Sequence, residues 1–148
     1  MKNLKQDYKF FDVTADIGFI AYGNSLEESF ENAGIAMFDV ISDTKNVLHK
    51  DKITFSISSE DEVSLFYDFL EELLFFHETK FMLFSKFEVK ISKIENEFEN
   101  FKLDAIISGE KFNWDIHKRG SEIKAITYHL MEVSNKNGIY EVKAILDL

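Results

Sequence analysis

Phe87-Glu88-Val89-Lys90-Ile91-Ser92 alternates apolar with polar side chains, the period of a strand that buries one face. After Glu95-Asn96-Glu97 the segment from Phe98 to Ser108 is also strand-like, so the two are read as an antiparallel hairpin closed by that turn, with Gly109 ending the second arm. Downstream, Phe112 to His117 reads as another short strand and Lys118-Arg119-Gly120-Ser121 as a turn. Ile123 to Val133 and Ile139 to Leu146 form a closing pair across Asn135-Lys136-Asn137-Gly138, where Asn137-Gly138 tolerates the positive torsions of a hairpin turn. From Phe81 onward the chain is therefore built of strands.

Upstream the period changes. Ser25-Leu26-Glu27-Glu28 is a capping box, and Leu26, Phe30, Ala33, Met37 and Ile41 recur at helical spacing, with Phe38 widening the stripe. That helix ends before Asp43. Ser59-Glu60-Asp61-Glu62 places acids at the start of a second periodic run through Val63, Phe66, Phe69, Leu70, Leu73 and Phe76 or His77. Between the helices, Lys52 to Ser58 alternates as a half-buried strand. Two early helices and a late group of strands predict an α+β fold: one two-layer domain over residues 1–148, with a mainly antiparallel sheet and both helices on one face.

The 148 residues are 45% apolar with 16 Phe, enough for an aromatic-rich core without staples. Absence of cysteine excludes a disulfide framework, a thiolate zinc site and a cysteine nucleophile. No run has the pattern of a signal peptide or reaches membrane-spanning length, which predicts a cytoplasmic protein. A formal charge of −10, with Arg119 as the sole arginine, argues against direct high-affinity binding to nucleic acid, because phosphate contacts need local positive charge. Any role near RNA would pass through a basic partner protein.

Asp12-Val13-Thr14-Ala15-Asp16-Ile17-Gly18 sets two carboxylates near a break between Tyr8–Asp12 and Gly18–Tyr22. Oxygen donors at such a corner suit a hard divalent cation, but by residue pattern alone polar side chains in an exposed turn are the stronger reading. If the last strand pairs beside the opening one, Asp147 and the main chain of Leu148 come close to Asp16. Acids gathered in that way repel unless a cation or a lysine lies between them. His49, His77, His117 and His129 lack the spacing of a zinc site and read as surface or structural residues. In Lys124-Ala125-Ile126-Thr127-Tyr128-His129, alternation sends Thr127 and His129 to one face and Ile126 and Tyr128 to the other. The chain carries no phosphate-cradling glycine loop, nucleophile elbow or CxxC motif.

Taken in order, Asp12-Val-Thr-Ala-Asp16-Ile-Gly18, Ala21-Tyr-Gly23, Ser25-Leu-Glu-Glu28-Ser-Phe30, Ala36-Met37, Phe69-Leu-Glu-Glu-Leu-Leu74, Gly109-Glu110, Lys124 to His129 and Asp147-Leu148 resemble the archease family over essentially the whole chain. The resemblance implies a small acidic, non-catalytic cofactor of the RtcB-type RNA ligase that joins tRNA halves. Such a cofactor promotes guanylylation and multiple turnover of the ligase and broadens its nucleotide use. It further implies a divalent metal, usually Ca2+, held by Asp16, Asp147 and the main chain of Leu148, with Lys124 contacting the ligase or its nucleotide. Two departures stand out: Val13 where the family usually has His, and Glu71 where it usually has Asn. A chaperone-like modulator of a tRNA-modifying enzyme, such as a methyltransferase, is the alternative, followed by a small metal-dependent hydrolase.

Overall fold

Ser25 opens the first helix as the capping box predicts: its side chain accepts from the Glu28 amide at 3.1 Å. The return contact differs by one residue, because the Glu28 carboxylate takes the Asn24 amide at 3.0 Å rather than that of Ser25. The helix, α1 (Leu26–Ile41), buries Phe30, Ala33, Met37 and Phe38 almost completely, which is the predicted stripe. In this computed structural model, which describes residues 6–95 and 98–148, it follows β1 (Tyr8–Val13) and β2 (Asp16–Gly23). A short 3-10 turn, β3 (Asp51–Ser59) and α2 (Glu62–Lys80) come next, then β4 (Met82–Lys93), β5 (Phe101–Lys111), β6 (Ala125–Lys136) and β7 (Ile139–Asp147). Asp61 caps α2 by accepting from the Ser64 amide at 2.7 Å.

The α+β class and the antiparallel pairing hold, but the strands divide between two sheets where one was expected. β1-β2-β7-β6 form a four-stranded sheet and β3-β5-β4 a three-stranded one, every neighbouring pair antiparallel. α1 packs on β2 and β4, and α2 packs on β6 and β3. Each helix thus touches both sheets, and the two sheets share one aromatic-rich core with the helices. Phe30 sits 5.1 Å from Phe66 and 5.6 Å from Phe69 between ring centres, joining the helices through aromatic contact. Among the described residues no helix is long and apolar enough to cross a membrane.

Three local expectations are corrected. Phe112 to His117 is not a strand: after the Phe112 amide bonds to Phe81, the Asn113 carbonyl takes the amides of Ile116 and His117 at 3.0 and 2.7 Å, and its side chain takes that of Asp115. Asn113 closes a turn on itself, which asparagine does readily. β5 does not stop at Gly109 but runs to Lys111. Glycine is needed there because a β-carbon would stand 1.8 Å from the Leu83 carbonyl oxygen, beside a β4 bulge at Phe84 and Lys86. In β6 the register passes from Thr127 opposite Ile145 to Glu132 opposite Lys143, a bulge with Leu130 at a φ of 59°. Strict alternation fails across it, and Tyr128, His129 and Leu130 are all exposed. The turn predicted around Asn96 and Glu97 lies outside the described residues.

The connection from β5 to β6 is anchored before it reaches the sheet. Gly120 and Ser121 donate their amides to the carbonyls of Ile41 and Val40, each at 2.9 Å. These bonds satisfy the open C-terminal carbonyls of α1 and deliver Lys124 to the start of β6.

Candidate metal corner and its surroundings

Asp16 begins β2 directly after the two-residue turn Thr14-Ala15, in which Ala15 has a φ of 64°. The chain therefore reverses at the acidic segment, and β1 and β2 form a hairpin with Asp12 opposite Ile17 and Val13 opposite Asp16. Adjacent pairs of a ladder face opposite sides, so Asp12 and Asp16 point away from each other. The hairpin is tight around Gly18, where a β-carbon would fall 2.1 Å from the Phe11 ring.

β7 lies on the other side of β2 and places Asp147 opposite Asp16. On β6, Ala125 is opposite Asp147, so Val13, Asp16, Asp147 and Ala125 form one row across four strands. The Leu148 amide donates to the Asp16 carboxylate at 3.4 Å, and the Lys124 amide donates to the Asp147 carbonyl at 2.7 Å. Residues from both ends of the sequence are thus brought together: Asp16, Asp147, Leu148 and Lys124. Asp16 is half-buried, Asp147 is exposed, and the Leu148 side chain packs against the core.

Directly opposed carboxylates destabilise a ladder. Among the described residues no lysine or arginine lies within ion-pairing distance of either one. No third histidine or acidic side chain joins them, since no group of three such residues is gathered anywhere among the described residues. Two carboxylates would suit a hard cation only with most of its shell left to solvent or to further oxygen donors. Val13 stands next to Asp16 in the same row and adds only an apolar wall. Glu71 sits beside the Tyr67 hydroxyl; burial first and that carboxylate second push the phenol pKa up. Tyr67 in turn stacks on Tyr128 of the bulge at 3.9 Å.

The Lys124 side chain is exposed and borders a cleft of about 410 Å³ with His77, Glu78, Glu122 and Ile123. His77 donates from Nδ1 to the Met82 carbonyl at 2.7 Å, and His49 and His129 are exposed.

One buried polar pair escaped the sequence reading. Glu110 accepts from the Leu48 amide at 2.7 Å and from His117 Nε2 at 3.0 Å, with Lys50 Nζ 3.5 Å away. The Leu48 amide, reinforced by His117 and Lys50, holds the Glu110 carboxyl below its ordinary pKa. Because His117 Nδ1 accepts from the Asn113 amide at 2.9 Å, its proton resides on Nε2. Gly109-Glu110 is visible as a motif, but nothing local pairs it with a histidine seven residues on.

Strand order, helix placement and corner define an α+β protein in which an N-terminal hairpin and the last strand share an acidic edge. The model of the archease protein family matches residues 8–148. The archease of Methanothermobacter thermautotrophicus is 48% identical over 95% of this chain and 98% of its own length. That of Methanosarcina mazei is 37% identical over the full length of both. In three dimensions the solution structure of Methanobacterium thermoautotrophicum protein 1598 superposes with a TM-score of 0.84 at 48% identity, covering 96% of this chain and 99% of that one. The Thermotoga maritima archease, described as a possible chaperone, shares the fold with a TM-score of 0.59 at 21% identity over both full chains. This chain belongs to the archease family.

Proposed function

We propose that this chain is a non-catalytic, cytoplasmic protein cofactor of an RtcB-type RNA ligase in tRNA splicing, raising guanylylation and turnover of the ligase and broadening its nucleotide use. The observation that supports this most is the pairing of Asp16 with Asp147 across β2 and β7. Among the described residues no lysine or arginine pairs with its two carboxylates, which leaves them open to a divalent ion shared with a partner. Asp16, Asp147 and the main chain of Leu148 would hold the metal, which the likeness to archeases implies is Ca2+; oxygen donors of this kind suit a hard cation. Bound there, the ion supplies positive charge that neutralises the corner and attracts phosphate. Lys124, held at the rim by its amide bond to Asp147, offers a second positive group to the ligase or its nucleotide. The strongly acidic surface suits docking on a basic protein rather than on RNA itself.

The test is a ligase assay. With the cognate ligase, GTP and Mn2+, wild-type protein should increase guanylylated ligase and product per enzyme, while Asp16→Ala and Asp147→Ala should not. Equal stimulation by the variants would remove the metal corner from the mechanism. The description of the Thermotoga maritima protein supports a second reading, a chaperone-like modulator of a tRNA-modifying enzyme. Retention of a methyltransferase instead of a ligase from a lysate of the source cell would favour it.

A further inference from the structure

Beyond Lys124, between the end of α2 and the β5–β6 connection, lies a second cleft of about 330 Å³ that shares His77, Glu78 and Glu122 with the first. Its walls are aromatic. Phe112 and Trp114 stack at 4.9 Å with an angle of 22°, and Phe81 meets Phe112 edge-on at 6.1 Å. Phe81, the left-handed cap residue that ends α2 at a φ of 57°, is 59% exposed. Two of these rings already carry cations from the same chain: the Arg119 guanidinium lies 5.3 Å from Trp114, and Lys111 Nζ lies 5.9 Å from Phe81.

We propose that this cleft receives an arginine side chain presented by a basic partner protein, with Arg119 as its internal place-holder. Aromatic faces are negative and attract cations. A guanidinium is planar and weakly hydrated, so it stacks on such rings while its edge forks onto a carboxylate. Glu78 and Glu122 supply that carboxylate; both are exposed, and among the described residues neither forms an ion pair. An anionic planar ligand would meet both acids as well as the −10 charge of the chain, which instead draws basic partners inward. Arg119 is exposed and without a carboxylate partner among the described residues, so an incoming arginine can replace it on Trp114.

That the arginine comes from a protein rests on the ligase reading; the chemistry of the cleft does not. The experiment therefore omits ligase and metal. Trp114 is the sole tryptophan, so its emission reports the cleft directly. In EDTA, acetyl-Gly-Arg-Gly-amide is titrated alongside the lysine and glutamate peptides and adenosine monophosphate. The arginine peptide should shift the emission saturably and bind most tightly. Arg119→Ala should tighten it about two- to fivefold by removing the competitor, and Glu78→Gln with Glu122→Gln should weaken it by a similar factor. Equal thermal midpoints verify that these exposed substitutions leave the fold intact. Tighter binding of the nucleotide, weaker binding by Arg119→Ala, or no saturable response to the arginine peptide overturns the proposal. A failed titration beside a successful ligase assay removes the cleft alone, and the reverse removes the ligase reading alone.

Discussion

Glu110 and His117 meet at 3.0 Å beneath the β5–β6 connection, both nearly inaccessible to solvent. The pair ties that connection to β5, while the Leu48 amide on the same carboxylate ties in the segment before β3. A carboxyl held below its ordinary value of 4.5 contributes stability that is complete above that pH. The contribution is lost as pH falls through the lower, folded value. Urea unfolding from pH 7 to pH 3 should show the wild type losing stability below about pH 4.5, and Glu110→Gln should flatten that part of the curve. At pH 7 the variant should be less stable by about 1–3 kcal/mol, because the Leu48 amide and His117 lose a charged acceptor. An unchanged acid slope would show that the pair does not report folding.

The opposed acids of the corner make a prediction whose sign depends on the metal. Without divalent ions, Asp147→Asn should raise stability by about 0.2–1 kcal/mol, because it removes a like-charge pair across the ladder. With Ca2+ at about a hundred times its dissociation constant, the wild type should gain about 2.7 kcal/mol and overtake the variant. Thermal midpoints with EDTA and with CaCl2 check both halves.

Two glycines should differ in their response to alanine. At Gly18 the obstacle is the Phe11 ring, a side chain on the edge strand β1 that has room to swing aside. At Gly109 it is the Leu83 backbone carbonyl, fixed in the β4–β5 ladder. Gly18→Ala should cost about 1–3 kcal/mol and Gly109→Ala more than that, as read by chemical unfolding.

Leu130 in the β6 bulge offers a stabilising change. Its φ of 59° disfavours L-residues, and its side chain is 52% exposed, so little packing is lost on removal. Leu130→Gly should be neutral or stabilising by up to about 1 kcal/mol, whereas Leu130→Val should destabilise. Denaturant midpoints of the two variants, measured together, give the ordering.

The helices and the final hairpin were readable because their determinants are local. Stripes such as Phe30, Ala33 and Met37, and a turn such as Asn137-Gly138, specify an element without reference to the rest of the chain. Division into two sheets was not readable, because β4 and β6 look alike as isolated strands and only their long-range pairing partners, β5 for one and β7 for the other, place them in different sheets. The bulge was hidden for a related reason: the apolar pair Leu130-Met131 breaks the alternation without fixing where the strand slips, and the register is decided by β7. For the corner, nearness of Asp16 to Asp147 followed from one assumption about strand order, which holds. Asp12 and Asp16 as paired ligands, the weaker reading of that segment, are set aside by the hairpin, which turns them to opposite faces and agrees with the exposed-turn reading.

The place of β7 between β2 and β6 has a consequence for timing. Its contacts with β2 join segments more than a hundred residues apart, the kind of pairing that forms slowly because a long loop must close first. On the ribosome, a nascent chain can shape both helices and the three-stranded sheet while Asp16 still waits for its counterpart. The row that sets Asp147 opposite Asp16 is therefore completed late, after the elements that form from nearer neighbours.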